Sequence, residues 1–246
     1  MLGPLSNAEW LETDGLGGFA MGTVSGRRTR RYHGLLVAAL TPPTERVMLV
    51  SGFEAWVETP AGRFAITSQA YRGGVIHPDG ESRLESFEFE PWPCWRFRLE
   101  DGTCVEQELF MPHEASAVCL RWRLIGRQTS TTPLPSPLPG GERRRNTQGC
   151  TARLIVRPFL AVRDYHCLQH ESVDFQFDSE VTTMANGAAR RVVWRPYLGR
   201  PAIVSWSNGD EQSDPTWYRQ FFYTIEEERG LDCLEDLAAP SVLTSR

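Results

Sequence analysis

The sequence predicts an all-β fold, an antiparallel β-sandwich with little helix. Three observations carry that expectation. Apolar and polar residues alternate with period two along most of the chain, and turn pairs such as Asp101-Gly102 and Asn186-Gly187 separate the runs. Before the last third, no long stretch repeats its apolar residues at helical spacing. Strands at regular spacing with Gly and Pro turns form a sandwich rather than βαβ units. A length of 246 residues allows one large all-β domain or two ordinary ones. At 41% hydrophobic and 11% aromatic residues, the chain carries enough apolar mass to bury a core.

The first candidate strands lie at residues 47–58 and 64–69. In Trp95-Arg-Phe-Arg-Leu99 the apolar side chains face one way and the arginines the other, as a half-buried antiparallel strand requires. Asp101-Gly102 follows, a pair that tolerates the positive φ angles of a two-residue hairpin turn. The next strand runs from Thr103 to about Met111. That turn sets Leu99 opposite Cys104 and Cys94 near Leu109, so Cys94 and Cys104 are poorly placed to bridge. Val118, Leu120, Trp122 and Leu124 then alternate with Cys119, Arg121 and Arg123 in a further strand.

Residues 127–149 break the pattern, with prolines at 133, 135, 137 and 139, two glycines and three arginines in a row. Such a composition builds no ladder and buries little surface, which predicts a mobile, partly polyproline loop with a solvated charge run. It is read as an insertion in one domain spanning 1–246 rather than a linker, because strand-like sequence resumes at once. Those later runs are 151–158, 173–177, 191–194 and 202–206. Residues 221–237 hold one short helix.

A formal net charge of −5 argues against an electrostatic nucleic-acid binder, whereas a neutral substrate needs no strong field. Every basic residue other than histidine is arginine. Cys94, Cys104, Cys119, Cys150, Cys167 and Cys233 form no C-x-x-C pair and are read as reduced thiols of a cytoplasmic protein. Residues 1–14 lack the basic and apolar regions of a signal peptide, and the longest clean apolar run, 35–40, is too short to span a membrane. The eight tryptophans suit wide β-faces and also sugar sites, where a flat ring covers the C–H face of a pyranose. For any one of them, the core is the first expectation.

The densest motif is Glu9-Trp-Leu-Glu-Thr-Asp-Gly-Leu-Gly-Gly-Phe-Ala-Met-Gly-Thr-Val-Ser-Gly26, followed by Arg27-Arg-Thr-Arg-Arg-Tyr-His-Gly-Leu-Leu36. Glycines at 15, 17, 18, 22 and 26 imply backbone in tight or left-handed conformations. A Gly-Lys-Ser/Thr ending and a surrounding βαβ pattern are both missing, which excludes a nucleotide loop. A second motif is Arg157-Pro-Phe-Leu-Ala-Val-Arg-Asp-Tyr-His166. The third is Trp217-Tyr-Arg-Gln-Phe-Phe-Tyr-Thr-Ile-Glu-Glu-Glu-Arg-Gly-Leu-Asp232, with Glu235-Asp236 after it.

These motifs, in this order, resemble the N-terminal domain of the bacterial and archaeal glycogen-debranching enzyme family. The match covers nearly all of the chain except the Pro-rich insert. The resemblance implies a galactose-mutarotase-like β-supersandwich, followed in that family by an (α/α)₆ barrel. The barrel carries the amylo-α-1,6-glucosidase activity on branch stubs of glycogen or limit dextrin. Glycoside hydrolysis needs two carboxyl groups across the scissile bond, and in the family they come from the barrel. The chain ends at Arg246, where the barrel is expected to begin, so the chain alone is expected to be inactive and no catalytic residue is assigned. No cofactor and no metal are expected. The catalytic barrel is the expected partner and an α-glucan a candidate ligand, with neither nucleic acid nor membrane.

Arg30, Arg31, Tyr32 and His33 are open to two readings. They project toward glucan hydroxyls or the barrel, or else the arginines pair with carboxylates while Tyr32 and His33 pack. Arg163, Asp164, Tyr165 and His166 form the second candidate group. Neighbours on a strand point to opposite faces, so a structural Arg163–Asp164 pair is expected rather than acid–base work. His166 and His170 would share a face on a helix and suit zinc, but the segment reads as a strand end and a loop. Most of Glu226, Glu227, Glu228, Asp232, Glu235 and Asp236 should be solvated, with one or two paired to arginines such as Arg229. Two other classes of function remain open: a stand-alone α-glucan-binding module, and a truncated remnant with exposed apolar interface.

Overall fold

The computed structural model describes residues 7–127, 152–184 and 187–245. In chain order the first strands are β1 (Glu9–Thr13), β2 (Phe19–Thr23), β3 (Gly34–Thr41), β4 (Thr44–Thr59), β5 (Gly62–Ala65) and β6 (Ser68–Tyr71). Next come β7 (Val75–Asp79), β8 (Leu84–Glu88), β9 (Cys94–Arg98), β10 (Thr103–Phe110) and β11 (Cys119–Arg127). After the Pro-rich segment follow β12 (Arg153–Asp164), β13 (Ser179–Thr183), β14 (Arg190–Trp194) and β15 (Ile203–Ser207). The last elements are β16 (Gly209–Phe222), α1 (Thr224–Glu228) and β17 (Leu234–Ser245).

All pairings are antiparallel and the fold is all-β, as the alternation predicts. One sheet runs β1-β2-β3-β4-β12-β17-β16-β6-β7 with β5 added to β4, and it curls into a half-barrel. A four-stranded sheet, β11-β10-β9-β8, and a three-stranded sheet, β13-β14-β15, complete the architecture. Strand β12 pairs with β4 over most of its length, so sequence from both sides of the Pro-rich segment shares one sheet. Among the described residues no helix is long and apolar enough to cross a membrane.

Side-chain alternation divides the large sheet into two faces. On one face Phe53, Ala55 and Val57 pack against Trp95, Phe97, Val105 and Leu109 of the four-stranded sheet. Leu49, Leu160 and Val162 pack against Val192, Trp194 and Ile203 of the three-stranded sheet. Trp10 and Trp95 meet edge-on at 5.4 Å and donate their indole N–H groups to the carbonyls of Thr23 and Val24. Each buried ring contributes roughly 2–3 kcal/mol by leaving water. On the other face, Val37, Met48, Phe159, Phe221 and Leu237 form a third cluster with Tyr223. Among the described residues, no side chain of either small sheet joins this cluster, and the face is left uncovered by them.

Several local expectations are corrected. The turn enclosed by Leu99 and Thr103, between β9 and β10, holds three residues, not two: Leu99 N–H bonds the Thr103 carbonyl, Gly102 N–H bonds the Leu99 carbonyl, and Gly102 has φ 82. A turn ending in a left-handed glycine replaces the two-residue turn, and the register moves by one. Cys104 therefore faces Arg98, and Cys94 faces Glu108. All described cysteines are free thiols; Cys150 lies outside the described residues.

The run 64–69 is split between β5 and β6, with Ile66 and Thr67 at the break. Residues 173–177 form no strand, because Phe175 and Phe177 leave the ladder to stack with Tyr197 and Trp217. The one short helix expected within 221–237 is α1, with β16 and β17 on its flanks. Strands β13 and β14 pair across the Asn186-Gly187 signal, and Gly187 has φ 67. Asn186, residues 1–6 of the N-terminal reading and all of the 127–149 insertion beyond Arg127 lie outside the described residues.

Candidate functional site

The first motif builds its own scaffold. Between β1 and β2, Asp14 Oδ1 accepts hydrogen bonds from the N–H groups of Leu16 (2.8 Å) and Gly18 (2.9 Å). An aspartate closing a turn on its own backbone is a common loop device. Gly15 (φ 77) and Gly17 (φ 101) supply the left-handed residues that let the chain double back. Gly15 and Gly17 of this motif therefore serve a turn.

Arg30 and His33 share one carboxylate. Arg30 Nε lies 2.6 Å and His33 Nε2 3.0 Å from Glu9 Oε1. His33 is fully buried, and its Nδ1 accepts the Thr29 N–H at 3.1 Å. Burial, against the pull of Glu9, holds the imidazole down to about 4. The neutral ring must then carry its proton on Nε2 and donate it to Glu9. Burial pushes the Glu9 carboxyl up, but its hydrogen bonds from Arg30 and His33 and the charge of Arg30 outweigh that and hold it below the usual range.

Arg31 and Tyr32 turn the opposite way and join the second and third motifs. The Arg31 N–H donates to Glu226 Oε1 at 3.1 Å, and its guanidinium lies 3.2 Å from Glu226 Oε2. The same guanidinium donates to the carbonyls of His166 (2.6 Å) and Asp232 (3.2 Å). The Tyr32 hydroxyl meets His166 Nδ1 at 3.1 Å, and its ring lies 5.6 Å from that of Tyr165.

Arg163 is buried beneath this group. It bonds both oxygens of Glu235, the Arg31 carbonyl at 2.8 Å and the carbonyls of Asp164 and Tyr165. The Tyr223 hydroxyl donates to Glu235 as well. Burial opposes the Arg163 charge, but Glu235 outweighs it and holds the guanidinium above its usual value.

One sequence-based expectation fails here. Arg163 pairs with Glu235, not with the Asp164 side chain, which instead accepts the His166 N–H at 2.8 Å and closes its own turn. Among the acids of the third motif, Glu227, Glu228 and Asp232 are exposed as expected, and the two that pair with arginines are Glu226 and Glu235, both 0% exposed, whose partners are the distant Arg31 and Arg163 rather than Arg229. A run of acids reads as surface when the partners stand 72 and 195 residues away. His166 lies in a turn and His170 in an irregular segment, so no helical face is shared between them. Among the described residues, Cys94, Glu106 and Glu108 are the one group of three spaced for a metal ion, and Arg96, Arg121 and Arg123 already occupy both carboxylates.

The structure thus brings Arg31, Tyr32, Arg163, Tyr165 and His166 together at one end of the uncovered face. Arg30 and His33 diverge toward β1. Tyr32, Tyr165 and His166 border a shallow depression of about 340 Å³ whose other walls are Leu11, Phe19 and Met21. Leu11 also lines a second hollow of about 520 Å³ with Trp10, Phe87 and Phe89. Leu11 and Phe89 are exposed, so an apolar strip runs along the free edge of β1. The sequence also gave no sign of a second polar group on the uncovered face, formed by Arg28, Glu54, Tyr71 and Tyr218. Its members come from four distant segments.

The family model described as "Glycogen debranching enzyme N terminal" matches residues 8–246. No curated protein matches the chain, and no solved structure does.

Proposed function

The chain belongs to the glycogen debranching enzyme N-terminal family, and on that premise we propose that it is the non-catalytic β-sandwich that braces the catalytic (α/α)₆ barrel of an α-1,6-glucosidase. The substrate of that assembly is the branch stub of glycogen or limit dextrin. The observation that carries the reading is the meeting of all three motifs at one end of the large sheet. Buried ion pairs from Arg31 and Arg163 fix that end and leave Tyr32, Tyr165 and His166 facing outward over an apolar depression. Ion pairs this deep contribute little net stability, and their best-attested use is to specify one arrangement of groups. A rigid apolar surface with a few polar tips suits a protein partner.

Glu226 and Glu235 are committed to arginines inside the fold. In this reading the acid and base carboxyls come from the barrel. The test is an assay of glucose release from limit dextrin by this chain alone, by a separately produced family barrel, and by the two mixed. Activity that the chain lacks, and that it raises or stabilises in the barrel, is expected. Glucose release by the chain alone would overturn the proposal.

A further inference from the structure

The uncovered face of the large sheet carries a second group of polar side chains, distinct from Tyr32, Tyr165 and His166. β16 supplies two of its aromatic rings by an irregular device. Residues 218 and 221 of an unbroken strand would face opposite sides of the sheet. Here the pairing with β17 slips between Tyr218 and Phe221, and Gln220 takes φ 64, a conformation that costs a non-glycine residue energy. The bulge turns Tyr218 and Phe221 to the same face. Bulges of this kind re-aim side chains next to functional sites.

Arg28 lies over the Phe221 and Phe159 rings, its guanidinium 4.8 Å from the Phe221 centroid and 5.8 Å from that of Phe159. Gly52 makes room for it, since a Cβ at that position would come within 2.1 Å of Arg28 Nη1. Arg28 is 7% exposed and has no carboxylate within ion-pair distance among the described residues. Among the described residues its one hydrogen bond, to the Ser51 carbonyl, is long at 3.4 Å, and its Nε is unpartnered. One residue pair further along β4, the Gln69 amide donates to the Phe53 carbonyl at 3.1 Å while its buried Oε1 accepts nothing among the described residues. A buried donor and a buried acceptor, both unmet among the described residues, thus belong to side chains held on β4 carbonyls two residues apart. Unmet buried polar atoms are rare, because each costs its full desolvation.

Glu54, also buried, accepts the Tyr218 hydroxyl at 3.4 Å. Arg157 stacks on the Tyr218 ring at 5.7 Å and pairs with Asp214. Tyr71 stacks on Phe221 at 5.0 Å, and both tyrosines are only half-buried. Burial, then the charge of Glu54, pushes both phenol pKa values up, so each hydroxyl stays a donor. The formal charges of Arg28 and Arg157 balance those of Glu54 and Asp214. A balanced group of donors and acceptors beside aromatic faces selects a neutral, hydroxyl-rich ring over an anion.

We propose that Tyr71 and Tyr218, above the buried Arg28, Glu54 and Gln69, form a saccharide subsite that takes a pyranose unit of an α-glucan. The choice of an α-glucan rests on the debranching role proposed above; the preference for a neutral sugar rests on the site alone. The test is a calorimetric titration of the full chain with maltohexaose, carried out without any barrel. Saturable binding is expected, weakened at least tenfold by Tyr71→Ala and by Tyr218→Phe. Tyr71→Phe, which keeps the packing ring and removes one hydroxyl, should fall between. Trp206→Ala serves as the control, since Trp206 is 59% exposed on the three-stranded sheet and is the obvious rival platform. No saturable heat up to about 10 mM sugar, or binding that follows Trp206 and ignores Tyr71 and Tyr218, would overturn the proposal. Barrel docking is measured without sugar, so the two readings fail separately.

Discussion

Arg163 and Glu235 meet inside the domain as a two-point ion pair although 72 residues separate them in sequence. Each is tied to further groups: Glu235 to the Tyr223 hydroxyl and the Gln169 N–H, Arg163 to the Arg31 carbonyl. The pair therefore locks the end of β12, the 24–33 loop and the start of β17 into one unit.

Removing one partner leaves the other buried and charged. Arg163→Ala or Glu235→Ala should each lower the unfolding free energy by about 3–5 kcal/mol. The Arg163→Met/Glu235→Leu double variant should lose much less than the sum of the two. Urea denaturation of the four proteins checks this, and additive losses would show that the two side chains do not form one unit.

His33 predicts an acid limb of stability. Its folded-state value, about 4, lies below the ordinary 6.5, so the unfolded chain binds the proton first as pH falls. The contribution is complete above pH 6.5 and is lost between there and about pH 4, on the order of 3 kcal/mol at one pKa unit per 1.4 kcal/mol. A His33→Gln variant should be less stable at pH 7 and show a flatter limb in that window. Parallel slopes for the two proteins would contradict the assignment.

Glu54 acts with the opposite sign. Burial raises its carboxyl, outweighing Arg157, so the folded state holds the proton more tightly than the unfolded chain. Its contribution is favourable below the ordinary 4.5 and is lost as pH rises through the folded-state value. Glu54→Gln keeps an acceptor for Tyr218 and removes the buried charge. It should raise the unfolding temperature at pH 7, and the gain should vanish below pH 4.5. A lower unfolding temperature at pH 7 would show that Glu54 is held by an attraction stronger than its burial.

Local pattern made the sheets legible and long-range pairing did not. Alternation in Trp95-Arg-Phe-Arg-Leu99 located β9, since period two survives any context. The same signal misled at Val173-Asp-Phe-Gln-Phe177, where aromatic stacking takes the place of ladder bonds. Glu226 and Glu235 resemble their solvated neighbours in the sequence, and only the fold brings their arginines to them. Nothing in Arg27-Arg-Thr-Arg-Arg31 distinguishes Arg28, which turns inward, from Arg30, which stays half in water. The bulge at Gln220 was hidden because a glutamine, not a glycine, takes the positive φ.

The docking claim is tested most directly by titrating the purified chain into a separately produced family barrel and repeating the titration with Tyr32→Ala and Tyr165→Ala. A one-to-one complex is expected, weakened at least tenfold in each variant, as removal of an aromatic anchor at the centre of an interface would do. A wild-type chain that forms no complex, or variants that bind as tightly as wild type, would contradict the account.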